Sequence, residues 1–183
     1  MAPLIQVLLW TLLASGQPSQ PVRDIEGRAM NIFKPASTAN VLVFVTSDCP
    51  ISNGYAPAIQ QLCAAYEKRG VSCSLFYEDA AIEPAAVRKH LSEFRYRGLT
   101  AVIDRNGAVA RQAGATVTPQ AVVVDANGQV RYSGRIDNKY VELGQQRRVV
   151  TEYNLEDALD AVLEGRAVAN PQTTAVGCYI ASR

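Results

Sequence analysis

The chain has 183 residues, of which 48% are hydrophobic and 19% are charged, and its formal net charge is +1. This length and composition suit one globular domain with a normal core and additional tails. A net charge so close to zero gives no electrostatic reason to expect binding to nucleic acid or to an anionic membrane surface. No apolar stretch reaches the ~18 residues that span a bilayer, so we expect no membrane span.

The N-terminal segment has the pattern of a secretory signal peptide. An apolar run extends from Leu4 to Ala14, small residues for cleavage follow at 14–16, and Gln17 to Pro21 has the composition of a linker. The alternative is a short, irregular first helix. No cysteine follows the apolar run, so a bacterial lipoprotein anchor is not supported. We therefore predict a signal peptide and linker over residues 1–21 and export to the periplasm or outside the cell.

After the linker, strand-like and helix-like segments alternate. The apolar run from Val41 to Val45 is typical of a buried central strand. Pro50 suits the first turn of a helix, Pro57 should bend that helix, and Gly70 should close it. The later predicted elements are a strand from Val71 to Tyr77, a helix starting at Glu83-Pro84, a short apolar segment from Thr100 to Ile103, a short helix through Val109, strands from Ala121 to Val124 and from Val130 to Tyr132, and a last helix capped by Asn154 and ended by Gly165.

This order predicts an α/β domain over residues 22–170. An insertion from Ser133 to Tyr153 precedes the last helix, and residues 171–183 form a C-terminal tail. The alternation of strands and helices favours a sheet with helices packed on it.

Cys49 is the strongest candidate for chemistry. It follows the strand ending at Val45 and opens the next helix, where unpaired N–H groups and the helix dipole favour an anion. Thiolate is the reactive form of cysteine, so we predict a pKa below the ordinary ~8.5. The hydroxyls of Thr46 and Ser52 can hydrogen-bond this thiolate and lower its pKa further. The alternative is that Cys49 is a small core residue.

Three further cysteines and one histidine complete the candidates. Cys178, in the tail, is either an incidental cysteine or the partner that resolves an oxidised Cys49. Cys63 and Cys73 are either core residues or a structural disulfide. Their spacings do not fit a zinc site, and we expect no metal or other cofactor. His90 lies beside the apolar face of a helix, and we predict it at the surface without a catalytic role.

The segment from Phe44 to Pro57 is similar to the active-site segment of thioredoxins. Cys49 matches the first cysteine of their Cys-x-x-Cys motif, Pro57 matches their helix proline, and Thr118-Pro119 resembles their cis-proline loop. The resemblance implies a thioredoxin-like fold, a central mixed β-sheet flanked by helices, and a cis bond before Pro119. Ser52 replaces the second cysteine, so any oxidised form must use a distant cysteine or a second molecule.

A second resemblance is to peroxiredoxins of the alkyl hydroperoxide reductase and thiol-specific antioxidant group. Their Thr-x-x-Cys-Pro motif matches Thr46 to Pro50, and their strand arginine matches Arg131 after the turn that begins at Asp125. The match implies that Arg131 contacts thiolate or peroxide; as an exposed strand residue it would contact neither. Two departures are Leu42, where those proteins have a proline, and Pro119, which they lack.

Over its whole length the chain most resembles exported redoxin-domain proteins, on residues 47–52 and 175–180. The resemblance implies a thiol-dependent oxidoreductase or antioxidant protein, in which Cys49 attacks a peroxide or a disulfide and Cys178 or an external thiol reductant resolves the product. The alternatives are a copper-binding module that uses Cys49 and Cys178, and a module that holds a partner peptide beside Pro119. A Cys49 buried in the core, or a trans Pro119 remote from it, would contradict the redox function.

Overall fold

The fold is given by a computed structural model that describes residues 21–33, 35 and 37–181. The predicted signal peptide from Leu4 to Ala14 and nearly all of the predicted linker lie outside these residues. Within the described ranges no helix is long and apolar enough to cross a membrane.

Helices and strands follow the predicted order, with several short strands added. The helices are α1 (Pro50–Glu67), α2 (Pro84–Glu93), α3 (Ala108–Ala113) and α4 (Asn154–Leu163). The strands are β1 (Val22–Arg23), β2 (Ala29–Met30), β3 (Ala39–Val45), β4 (Val71–Tyr77), β5 (Thr100–Ile103), β6 (Val117–Thr118), β7 (Gln120–Asp125), β8 (Val130–Gly134), β9 (Tyr140–Glu142), β10 (Gln145–Gln146) and β11 (Cys178–Tyr179).

Five strands form the central sheet, in the order β5, β4, β3, β7, β8. Strands β3, β4 and β5 are parallel, whereas β7 and β8 run antiparallel to their neighbours. Strand β3 lies in the middle and all seven of its residues are buried, as its unbroken apolar run predicts. This sheet, with helices on its faces, is the mixed sheet of the predicted thioredoxin-like fold.

Strand β3 supplies side chains to both cores, because successive residues of a strand point to opposite faces. Val41, Val43 and Val45 pack in the core that contains residues of α1, α2 and α4. Leu42 and Phe44 pack in the core against α3. Burying one such side chain fully is worth about 1.5–3 kcal/mol, so packing on two faces fixes the strand from which the chain continues to Cys49.

A disulfide between Cys63 and Cys73 links α1 to β4, with a Cα–Cα distance of 5.9 Å. The structural-disulfide hypothesis for these two cysteines is therefore confirmed. The two residues are ten apart in the chain, and in the chain-entropy model closing a loop of that size stabilises the fold by about 2–3 kcal/mol.

The predicted insertion packs against the start of α1. Tyr140 of β9 lies so close to Gly54 that a Cβ on this glycine would collide with the tyrosine hydroxyl. Tyr55 stacks on the same ring with 5.0 Å between ring centroids. The insertion therefore forms one wall beside the N-terminal turns of α1.

Residues 171–181, which we call the C-terminal strap, are held on the domain by backbone hydrogen bonds. Ser133 N–H donates to Pro171 O at 2.9 Å, and Thr173 N–H donates to Ser133 O at 3.2 Å. Ile180 N–H donates to Thr116 O at 2.9 Å, and β11 pairs antiparallel with β6. The segment predicted as a tail is thus part of the folded surface.

The start of the last helix differs from the prediction. Tyr153, not Asn154, is the N-cap of α4, and Asn154 is the first helical residue. The Asn154 side chain cannot act as the cap because its Oδ1 accepts a hydrogen bond from Arg135 Nε at 2.7 Å. A tertiary contact therefore overrides the local capping preference.

Candidate active site

Cys49 lies at the junction of β3 and α1, as the strand-to-helix pattern predicted. It is the N-cap residue of α1, with Pro50 in the first turn, and Asn53 N–H donates to its carbonyl at 3.0 Å. Its φ of −77° and ψ of 115° are the extended conformation usual for this position. The fold therefore carries the sulfur at a helix N-terminus, where a thiolate is favoured.

The loop before β7 brings Thr118 and Pro119 against this junction. The Thr118–Pro119 peptide bond is cis, which confirms the prediction. In its thiol form Cys49 donates to Thr118 O at 3.3 Å, and the hydroxyls of Thr46 and Thr118 lie 3.0 Å apart. These residues meet because the register of β3 and β7 places the end of β3 beside the start of β7.

The C-terminal strap brings Cys178 to the same place. Strand β11 aligns Cys178 with Thr118 across the antiparallel pair. The sulfurs of Cys49 and Cys178 lie 2.7 Å apart, and both cysteines are free. Gly177 approaches the Thr118 carbonyl so closely that any Cβ would collide with it. The strap can therefore seat Cys178 on Cys49 because the preceding residue has no side chain.

The two thiols titrate in opposite directions. Burial acts to raise the pKa of Cys49, but hydrogen bonds from the Cys178 thiol and from the backbone and hydroxyl of Ser52 outweigh it, so this pKa is lowered. Burial, the hydrogen bond to Cys49 and the charges of Cys49 and Asp48 raise the pKa of Cys178 to about 11. Of the two thiols, Cys49 therefore loses its proton first and Cys178 keeps its own to higher pH.

Cys49 is only 1% exposed and belongs to the larger core. Burial of Cys49 in the core was expected to contradict a redox function, and in this arrangement the sulfur is indeed buried. A redox role therefore requires a movement that uncovers it. Its two polar contacts, Thr118 O and Cys178 Sγ, lie where β11 covers β6. Val176 and Cys178 of the strap pack on the same core, so moving the strap away would uncover Cys49.

Thr46 and Ser52 both lie near the sulfur but act differently. Thr46 contacts Thr118 through its hydroxyl and so ties the end of β3 to the cis-proline loop. Ser52 is 1% exposed, and no described oxygen or nitrogen atom partners its hydroxyl. Its closeness to Cys49, together with the Ser52 backbone, acts to lower the pKa of that thiol.

Arg131 does not come near Cys49. Its guanidinium lies 3.1 Å from the Asp125 carboxylate. Asp125 aligns with Ala39 at the start of β3, whereas Cys49 follows the end of that strand. The peroxiredoxin resemblance therefore places this arginine correctly after the turn, but the turn lies at the opposite end of the sheet.

His90, predicted at the surface, is buried with 6% exposure. Its Nδ1 lies 2.9 Å from Tyr77 Oη and its Nε2 lies 2.9 Å from Asn53 Oδ1. The sequence contained one indication of this position, since His90 follows the fully buried Val87 by three residues on α2.

Within the part of the chain that the structure describes, no group of three or more His, Cys, Asp or Glu side chains could hold a metal ion. Cys49 and Cys178 are two sulfurs of the kind that suits Cu(I).

Comparisons with known proteins agree with this fold. The Redoxin family model matches residues 26–148. A conserved protein from Geobacillus kaustophilus has 25% identity and a TM-score of 0.76, covering 87% of this chain and 86% of that one. A protein from Sinorhizobium meliloti 1021 has 25% identity and a TM-score of 0.75, covering 87% of this chain and 88% of that one.

A secreted disulfide oxidoreductase from Mycobacterium tuberculosis, homologous to E. coli DsbE, has 21% identity and a TM-score of 0.50. That match covers 60% of this chain and 78% of the Mycobacterium chain, and at this identity it supports the fold alone. No curated protein sequence matches the chain significantly.

Proposed function

Because the chain belongs to the Redoxin family, we propose that it is an exported thiol–disulfide oxidoreductase in which Cys49 is the nucleophile and Cys178 the resolving cysteine. One observation carries the proposal: the two free thiols lie 2.7 Å apart, and their pKa values are shifted in opposite directions. A thiolate next to a protonated thiol is the arrangement needed to attack a disulfide and then release the product.

The reaction has two steps that balance in atoms and electrons. The Cys49 thiolate attacks one sulfur of a substrate disulfide, forms a mixed disulfide and expels the other sulfur as a thiolate, which takes up a proton. Cys178 then loses its proton and attacks Cys49 Sγ, expelling the first substrate sulfur as a thiol. The substrate gains two electrons and the Cys49–Cys178 disulfide forms, which an external dithiol reductant reduces again.

Ser52 explains why the distant cysteine is needed. A thioredoxin-type pair closes its disulfide within the first turn of the helix, but here that position holds a buried hydroxyl. The hydroxyl favours the thiolate of Cys49 without competing for it as a second sulfur. The strap then supplies the resolving thiol from 129 residues away in the sequence.

A substrate can reach Cys49 only after the C-terminal strap has moved, because the sulfur is 1% exposed beneath it. The strap is suited to this motion, since β11 has two residues and its pairing partner β6 also has two. Such short pairings open locally at low free-energy cost compared with the central sheet.

Export is supported by the Cys63–Cys73 disulfide, since such bonds persist mainly in oxidising compartments. A disulfide oxidoreductase from Mycobacterium tuberculosis with a similar fold is secreted. The predicted signal peptide agrees with this localisation.

Trapping the mixed disulfide tests the proposal. The Cys178→Ser variant, incubated with a small aromatic disulfide, should retain one substrate thiol on Cys49, whereas the parent should release both and form the Cys49–Cys178 bond. Mass spectrometry of proteolytic fragments identifies each species. A Cys178→Ser protein that carries no adduct on Cys49 would overturn the proposal.

The same samples separate the other hypotheses. Treatment with hydrogen peroxide instead of a disulfide should give little sulfenic acid on Cys49; rapid, stoichiometric sulfenic acid would make peroxide the substrate. A titration of the reduced protein with Cu(I), compared with Cys49→Ser, shows whether the pair is a copper site. Tight copper binding that is lost in Cys49→Ser, together with no disulfide exchange, would favour the binding module.

A further inference from the structure

A chain of buried and half-buried polar side chains runs from β4 through helix α2 to the loop that precedes Cys49. Tyr77 Oη lies 2.9 Å from His90 Nδ1, and His90 Nε2 lies 2.9 Å from Asn53 Oδ1. Asn53 Nδ2 then donates to Ser47 O at 3.0 Å. The chain begins on a central strand and ends two residues before Cys49.

The directions of the hydrogen bonds in this chain follow from its last link and from a neutral His90 ring, whose pKa burial lowers. The Ser47 carbonyl can only accept, so the amide nitrogen of Asn53 faces it and the amide oxygen faces His90. His90 Nε2 must then carry a proton and donate to Asn53 Oδ1. A neutral ring with a proton on Nε2 has an acceptor at Nδ1, and the Tyr77 hydroxyl donates to it.

Ser47 is also held from its other side. Its backbone N–H donates to Asp79 Oδ2 at 3.0 Å, while its carbonyl accepts from Asn53. Asn53 in turn donates its own backbone N–H to Cys49 O at 3.0 Å. Cys49 therefore sits inside a small ring closed by the Asn53 side chain, and His90 fixes the orientation of that side chain.

We propose that His90 is a positioning residue for Cys49: its Nε2–H orients Asn53, and Asn53 holds the loop and the first helical turn that place the sulfur. This inference rests on the proposed function, because it assigns His90 a part in preparing the same nucleophile. His90 does not touch the sulfur and transfers no proton to the substrate.

A purely structural role for His90 makes a different prediction. Its ring also packs against Phe94, with 4.5 Å between ring centroids, and lies edge-on to Tyr77 at 5.5 Å. If packing were its only role, substitutions of similar volume would affect Cys49 equally, whichever hydrogen bond they keep.

Two substitutions of His90 separate the roles. In His90→Gln the amide nitrogen can occupy the position of Nε2 and keep the hydrogen bond to Asn53, whereas in His90→Asn the amide group can occupy only the position of Nδ1. In a Cys178→Ser background with the Cys63–Cys73 disulfide intact, Cys49 is the single titrating thiol. We measure the rate at which Cys49 reacts with iodoacetamide at fixed pH, and the absorbance of its thiolate as a function of pH. Both are compared among the protein that retains His90, His90→Gln and His90→Asn.

We expect His90→Asn to react about fivefold more slowly than the parent, which corresponds to the loss of one buried hydrogen bond. Its thiolate titration should move to higher pH, and His90→Gln should restore both values. Equal behaviour of the two variants, whether like the parent or equally slow, would overturn the inference. If Cys49 of the parent has an ordinary pKa, the proposed function is overturned instead. The role of His90 is still decided in that case by whether His90→Gln reacts faster than His90→Asn.

Imidazole ¹⁵N chemical shifts of the unsubstituted protein provide a test that needs no folded variant. We expect the neutral Nε2–H tautomer at neutral pH. A proton on Nδ1 alone, or a charged ring, would contradict the hydrogen-bond directions and overturn the inference.

Discussion

The protein brings two pairs of cysteines together, and the pairs differ in almost every respect. Cys63 and Cys73 are ten residues apart, join a helix to the next strand and are bonded. Cys49 and Cys178 are 129 residues apart, are free thiols and meet only because the C-terminal strap crosses β6. The first pair constrains the fold, whereas the second places two free sulfurs side by side with pKa values shifted in opposite directions.

The difference shows what separates a structural pair from the pair proposed to be redox-active in the same chain. The local pair needs no special surroundings beyond adjacent positions on α1 and β4. The distant pair lies at a helix N-terminus, next to the buried Ser52, against the Thr118-Pro119 loop and directly after Gly177, which has no room for a Cβ. Each of the following changes should affect one pair and spare the other.

Removing Cys49 should have the largest effect. Cys49→Ser should reduce disulfide exchange to the uncatalysed background, because a serine hydroxyl stays protonated where the thiol ionises. The double variant Cys63→Ser/Cys73→Ser, assayed at a temperature at which it remains folded, should keep its rate. The measurement is the initial rate of reduction of a chromogenic disulfide.

Substantial exchange by folded Cys49→Ser would show that another cysteine is the nucleophile. Circular dichroism provides the folding control, and we expect similar spectra for Cys49→Ser and the parent because the two side chains are of similar size.

A side chain at Gly177 should loosen the strap and expose the distant pair. Gly177→Val places its Cβ against the Thr118 carbonyl. Overpacking of this kind costs about 1–3 kcal/mol, so Cys49 should be alkylated about 5- to 150-fold faster. The control is Thr174→Val, which places the same valine side chain in the strap at an exposed position without adding volume. Unchanged alkylation of Cys49 in Gly177→Val would mean that the strap does not limit access.

These two predictions also show what sequence could and could not provide. The β3 run, the Cys49-Pro50 junction and Thr118-Pro119 are local patterns, so the sheet, the candidate nucleophile and the cis bond were predictable. The covering strap was not, because nothing near Cys178 in the sequence specifies that it pairs with Thr118. Gly177 matters only through a contact with a carbonyl far away in the chain.

The same reasoning explains His90 and Arg131. The helical pattern placed His90 beside an apolar face, but its burial depends on hydrogen bonds to Tyr77 and Asn53, which lie on other elements. The resemblance to peroxiredoxins placed Arg131 correctly in the strand after the turn that begins at Asp125. The antiparallel course of β8 carries it to Asp125, away from the nucleophile.

Removing the local disulfide should affect stability rather than chemistry. Cys63→Ala/Cys73→Ala should lower the free energy of unfolding by about 2–3 kcal/mol, the value for constraining a loop of this length. Cys178→Ala, measured on the reduced protein, should cost less because β11 contributes only two paired residues. Urea denaturation at neutral pH gives both values. A larger loss for Cys178→Ala would reverse the assignment of the structural and redox-active pairs.

The pH dependence of stability should show the smallest effect, and only through the distant pair. The pKa of Cys49 is lower in the folded protein than its value of 9.0 in the unfolded chain. As pH rises toward 9, the unfolded chain therefore binds more protons than the folded protein, and the free energy of unfolding increases. The folded pKa of Cys178 is raised to about 11, so its contribution is full below pH 9.0 and is lost as pH rises through 11. The reduced parent should therefore show a stability maximum near pH 9 that Cys49→Ser/Cys178→Ser lacks.

The Cys63–Cys73 disulfide does not titrate and adds no such dependence. Urea denaturation from pH 7 to pH 11 measures the free energy of unfolding of both proteins, with the Cys63–Cys73 disulfide intact and the other cysteines of the parent reduced. The buried tyrosines contribute equally to the two curves, so their effect cancels in the difference. Parallel curves would mean that the two thiols do not share a proton in the folded state, and would remove the electrostatic basis for treating them as nucleophile and resolving thiol.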